Sequence, residues 1–134
     1  MPRLLALLLL ASAGCHRFPD DTPVEAYRSL LSAVQRDDDA HTLSLLSERS
    51  RSALLARAET LTQKSGGSLH PAPVDLLQAD PRPPGPTQVT VQSEDGKTAV
   101  LAVPTHPGVQ EVRLVNEAGH WRVVIPALEK RADG

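Results

Sequence analysis

The chain has 134 residues, 14 Lys+Arg against 16 Asp+Glu, a formal charge of −2 and a single cysteine. This length suffices for one small domain with a real core and excludes two. The aromatic residues are Phe18, Tyr27 and Trp121, and no basic patch is interleaved with them, which argues against a nucleic-acid partner.

Met1 to Cys15 has the three parts of an export signal: Arg3, the apolar run Leu4–Ala11, and the small residues Ser12-Ala13-Gly14. As a helix the apolar run spans about 12 Å, at about 1.5 Å per residue. A bilayer core is about 30 Å thick, so this run is no transmembrane anchor. Ala11-Ser12-Ala13 also offers an A-x-A-like site for ordinary secretion.

Ser12-Ala13-Gly14-Cys15 resembles a bacterial lipobox, with Ser12 where the pattern usually has Leu. The resemblance implies cleavage between Gly14 and Cys15, a diacylglycerol on the Cys15 sulfur and an acyl chain on the new amine. The implied partner is the lipid bilayer, held through acylated Cys15. Two or three chains anchor a protein stably where one does not, and acylation accounts for a lone Cys that has no disulfide partner. In resembling proteins Asp after the Cys favours the inner membrane; here His16 follows, which implies the outer one. Removal of residues 1–14 takes away Arg3 alone among the charges, leaving 120 residues at −3. No Lys/Arg cluster lies beside Cys15 to hold anionic headgroups. Residues 15–21 read as the lipidated Cys and a short tether, whose six residues His16–Asp21 reach about 20 Å when extended.

Thr22-Pro23-Val24-Glu25 forms a capping box with Pro at the first helical position. Val24, Tyr27, Leu30, Leu31 and Val34 then recur at helical spacing, predicting a helix over 22–36. Asp37-Asp38-Asp39 ends it and offers a cap for a second helix over 40–47, which presents Leu43 and Leu46. Ser47 or Ser50 starts a third over 50–64, with Leu54, Ala58 and Leu61 on one face and Leu55 beside them. Ser65-Gly66-Gly67 stops it.

Six of the 12 prolines lie between Pro71 and Pro86. Such backbone cannot join a central ladder, so 68–87 reads as a connector within the domain. Val74 to Leu77 fits either a short strand or one helical turn. Four strands follow, at about 88–93, 97–103, 109–115 and 120–125. A two-residue Asp95-Gly96 turn pairs Val91 with Val100 and Val89 with Ala102. A second hairpin closes through Asn116-Glu117-Ala118-Gly119, pairing Leu114 with Trp121 and Val112 with Val123. Helices first and antiparallel meander second make an α+β domain over 22–126, with a curved four-stranded sheet covered by the helices. Residues 127–134 read as a C-terminal tail.

Thr22-Pro23-Val24-Glu25-Ala26-Tyr27, the acidic break Asp37–Asp39 and the closing Gly119-His120-Trp121-Arg122-Val123-Val124 resemble small bacterial envelope lipoproteins with a nuclear-transport-factor-2-like, cystatin-like domain. The resemblance covers roughly residues 20–126. It implies a cone-shaped sheet whose pocket is empty, ligand-binding or catalytic, so the fold alone assigns no function. Tyr27 and Trp121 are the residues expected beside such a pocket.

Little in the sequence does chemistry. Glu111 is the one internal carboxylate of the predicted strands and falls on the face opposite Val112, Leu114, Trp121 and Val123, toward water. The five histidines, His16, His41, His70, His106 and His120, show no ligand spacing, so no metal site is expected. There is no nucleophile elbow, no phosphate loop and no calcium loop around Asp37–Asp39. Catalytic residues and cofactors are accordingly expected to be none. The reading is a membrane-tethered, non-enzymatic envelope domain that binds an unknown envelope protein or serves as an accessory. The alternatives are a carrier of a small apolar ligand in the cone, and an isomerase- or dehydratase-like enzyme requiring an inward carboxylate near Tyr27.

Overall fold

The structure is a computed structural model that describes residues 19–77, 88–105 and 108–132, without the side chains of 131 and 132. Gly14, Cys15 and the rest of the predicted signal, together with residues 78–87 of the predicted connector, lie outside the described residues. In chain order come α1 (Pro23–Gln35), α2 (Asp39–Ser44), α3 (Glu48–Lys64), a 3₁₀ turn (Pro73–Leu76), β1 (Thr90–Glu94), β2 (Thr98–Pro104), β3 (Val109–Glu117), β4 (His120–Val124) and α4 (Pro126–Ala132). The strands form one antiparallel meander in the order β1-β2-β3-β4. The α+β architecture is the one expected, helices packed on a four-stranded sheet.

The helices begin where their caps require. Thr22 Oγ1 accepts from the Glu25 N–H at 3.2 Å, and Asp38 and Ser47 do the same for α2 and α3. Each side chain satisfies a backbone donor that the first turn leaves orphaned. Asp37 takes φ +53° between α1 and α2, a left-handed residue of the kind that Asp tolerates better than most. The 3₁₀ turn resolves the open reading of Val74 to Leu77 in favour of a helical turn.

The stripe of α1 differs from the expected one. Its buried residues are Pro23, Ala26, Ser29, Leu30 and Ala33, whereas Val24, Tyr27 and Val34 are only partly buried. Small residues occupy the line of closest approach and the larger ones flank it, so volume-weighted periodicity points off the true axis. On α3, Leu54 and Ala58 are buried as expected, but Leu55 and Leu61 are exposed. The second helix also ends early, at Ser44. Beyond it Leu45 and Leu46 run alongside β4: Val123 N–H donates to Leu45 O at 2.9 Å, and Ser47 N–H donates to Val123 O at 2.8 Å. Leu46 thereby forms a parallel bridge with Val123 and is fully buried.

Both hairpin registers are corrected. In the first, Val91 pairs with Leu101 and Ser93 with Val100, the register shifting between Val91 and Ser93. Asp95 Oδ1 accepts from the N–H groups of Lys97 and Thr98, and Asp95 N–H donates to Thr98 O. The two-residue loop is therefore Gly96-Lys97, one position later than the Asp-Gly signal implies. The core face of β2 becomes Ala99, Leu101 and Val103, while Val100 and Ala102 turn to the outer face and stay half-buried. In the second hairpin Leu114 pairs with Val123 and Asn116 with Trp121, around a two-residue Ala118-Gly119 turn with φ +54° and +86°. A slip of two preserves the face, so Val112, Leu114, Trp121 and Val123 all reach the core as expected.

Residues 127–134, expected as a tail, contribute most of α4. Its Leu128 belongs to the core. Leu101, Leu114, Trp121 and Val123 from the sheet meet Ala26, Leu30, Leu46 and Leu54 from the helical layer in that same cluster. Among the described residues no buried side-chain nitrogen or oxygen lacks a partner, and no helix is long and apolar enough to cross a membrane.

Candidate functional site

Polar side chains meet in several places outside the sheet ladders among the described residues, and three of these bear on chemistry. The first lies at the β4 edge. His120 and Arg122 alternate with Trp121 along β4, so Trp121 points into the core and its neighbours point outward. Asp20, beside the start of α1, meets both. Arg122 Nη1 donates to Asp20 Oδ2 at 2.7 Å, and His120 Nδ1 lies 3.1 Å from Asp20 Oδ1. The backbone joins as well: Trp121 N–H donates to Asp20 O at 3.0 Å, and Ser29 Oγ on α1 donates to Pro19 O at 2.6 Å. Burial of the Asp20 carboxyl opposes its ionisation, but the hydrogen bonds and charges of His120 and Arg122 outweigh this and hold it below the usual carboxylate range. A carboxylate so lowered, with both oxygens engaged, is a clasp and a poor general base.

The second constellation joins the two ends of the helical layer. Glu129 Oε1 of α4 accepts from Ser47 Oγ and Ser50 Oγ, each at 3.0 Å. Ser50 Oγ in turn accepts from the Ile125 N–H at 2.9 Å. Ser50 has no exposure, so no substrate reaches it as a nucleophile. Glu117 Oε2 accepts from the Glu48 N–H at 3.0 Å, adding a second carboxylate at the α3 N-terminus, where negative charge is favoured. The third pair is exposed: His41 Nδ1 lies 2.7 Å from Asp38 Oδ2. There the backbone N–H of His41, followed by its ring, lowers the Asp38 pKa.

Tyr27, one residue expected beside a pocket, packs against the core cluster that contains the other, Trp121. Trp121 is 3% exposed within the core, and Tyr27 is half-buried at its margin. A depression of about 290 Å³ lies elsewhere, lined by Val34, Asp37, Asp39, Thr42, Val74 and Leu77 among others. Glu111 is exposed, on the outer face of the sheet. Among the described residues no group of three or more His, Cys, Asp or Glu is arranged to hold a metal ion. The lipidation and cleavage residues Cys15 and Gly14 lie outside the described residues.

Sequence reasoning assigned Asp20 to the tether and Glu129 to the tail, and so missed both clasps. Their partners sit at least 100 and at least 79 positions away, beyond any local pattern. The one available signal was the His-Trp-Arg alternation of β4, which places two cationic-type side chains on the face opposite a core residue. Compared with protein-family models, with characterised proteins and with solved structures, the chain matches none of them.

Proposed function

We propose that the chain is a bacterial envelope lipoprotein: residues 1–14 are removed, Cys15 is acylated, and the α+β domain acts at the periplasmic face of the membrane as a non-enzymatic binding or accessory module. Ser12-Ala13-Gly14-Cys15, directly after the apolar run Leu4–Ala11, is the observation that carries this reading. His16 after the Cys favours the outer membrane. The nuclear-transport-factor-2-like resemblance belongs to the same proposal and supplies no activity by itself. The polar clusters support a scaffold role, since the Asp20 and Glu129 carboxylates are bonded to the domain's own side chains.

The test is metabolic labelling with a fatty-acid analogue, followed by mass spectrometry of the mature protein. The wild type should carry label, start at Cys15 and fractionate with membranes. Cys15→Ala should lose the label and leave the membrane fraction. A bare thiol at the mature N-terminus, or retention of residues 1–14, overturns the reading.

A further inference from the structure

Leu101, Val112, Leu114 and Val123 turn inward to the core. By alternation their neighbours Val100, Ala102, Val115 and Val124 turn to the outer face of the sheet. None of these four belongs to the core cluster or to the side chains packed against it. An antiparallel sheet with one solvated face normally alternates apolar-in with polar-out. β2 departs from that pattern, since it carries no charged residue and is aliphatic on both faces from Ala99 to Val103. Val109, on the same outer face at the start of β3, is 64% exposed. Two charges stand in this apolar field. Glu111 and Arg113 lie two places apart on β3, an interior strand, and both are exposed. Neither makes an ion pair or a side-chain hydrogen bond among the described residues. The ladder sets Glu111 beside Ala102, and Arg113 between Val100 and Val124. Arg122 and His120, on the same face, already meet Asp20.

We infer that this outer face docks a second copy of the chain. A two-fold interface uses one patch on both copies, so that residue i meeting j entails j meeting i. Two such sheets stack about 10 Å apart. With the axis lying between them, across the strands at the level of Val112, Glu111 of each copy faces Arg113 of the other. The same operation sets Val100 against Ala102 and Val115 against Val109, because each pair lies equally far to either side of Val112 along the ladder. Both ion pairs and the aliphatic contacts close together, with β3 antiparallel to its counterpart. The charges select this partner and this register: a parallel stacking would set Glu111 on Glu111 and Arg113 on Arg113. The interface belongs to the folded domain and does not rest on the lipid anchor proposed above.

Sedimentation equilibrium of the full chain in a density-matched detergent tests this, with reductant present to exclude a disulfide through the single Cys. The wild type should dimerise reversibly, and less tightly as salt screens the ion pairs. Glu111→Arg and Arg113→Glu should each weaken the dimer at least about tenfold, since each sets like charges against one another. Their urea midpoints should stay near that of the wild type, because both positions are exposed. An equimolar mixture of the two variants should dimerise again, since every charged contact of the mixed pair joins opposite signs. The chain carrying both substitutions should recover likewise. A wild type that stays monomeric up to about 1 mM overturns the inference. So does one that associates only with added vesicles or with another protein, which assigns the face to that occupant instead. A dimer indifferent to both substitutions, or one lost in each variant and not restored in the mixture, overturns the self-complementary face.

Discussion

Asp20 illustrates how a single side chain can join segments 100 positions apart in the chain. Its carboxylate is ionised below the usual range when folded, and near the ordinary value of about 3.9 when unfolded. A depressed folded pKa contributes stability that is fully present above the unfolded value and is lost as pH falls through the folded one. Asp38 and Asp95 act in the same direction. The Asp38 pKa is lowered first by the His41 N–H, and the Asp95 pKa first by the Thr98 N–H and then by the Lys97 N–H. Urea midpoints should therefore fall as pH drops below about 4. The gap between wild type and Asp20→Asn, measured by the same titration, should be widest near neutral pH and close progressively toward acid. A gap that stays constant with pH would show that the carboxylate charge contributes nothing at this seam.

At the scale of elements, α4 depends on Ser50. Its hydroxyl donates to Glu129 and accepts from the Ile125 N–H, so Ser50→Ala leaves a half-buried backbone donor without its partner. Such an orphaned group costs about 1–3 kcal/mol. Ser50→Ala should destabilise by that order in urea titrations and increase hydrogen exchange across α4 more than across β2 or β3. Exchange that rises equally everywhere would deny α4 its dependence on this contact. The same scale shows what was legible in the sequence. Helix existence was readable from caps and periodicity, since Thr22, Asp38 and Ser47 act within three residues of their targets. Strand order was readable from turn residues. What escaped depends on contacts between distant segments. Leu46 looks helical beside Leu43 and instead leaves the helix because β4 offers it a ladder. Ala26 and Ala33 carry too little volume to announce that they face the sheet. Gly96 marks the first turn, yet the Asp95 side chain is bonded two and three residues on and the loop sits one place later, a slip of two that keeps the faces; the irregularity between Val91 and Ser93 then reassigns the faces of β2 relative to β1.

For the whole molecule, one core unites the sheet, α1, α3, the Leu45–Leu46 segment and α4. Leu101 and Leu54 are both without exposure, and truncation of either removes buried methyl groups from a site hemmed in by several elements. Leu54→Ala or Leu101→Ala should each cost about 2–5 kcal/mol, with a single cooperative transition retained in denaturant. Two separable transitions would mean that helices and sheet fold as independent units. The candidate site was less legible than the fold. The proposed acylation at Cys15 rests on local residue types, whereas Tyr27 and Trp121 were named for the pocket that the family resemblance implies. Trp121 belongs to the core and one depression lies by Asp37 and Asp39; a large ring on the inner face of a sheet fills space as readily as it frames it.

The bonds from Asp20 to His120 and Arg122 bridge 100 and 102 positions, and Leu46 finds its ladder only in the final strand. A growing polypeptide lacking its last fifteen residues would thus have both early attachments waiting with nothing to grip. Contacts so far apart along the chain slow folding, because the intervening loop must be closed before they return any stabilisation. Completion of this architecture is therefore timed by the arrival of β4, and until then Asp20 and Leu46 lack the strand that fixes them.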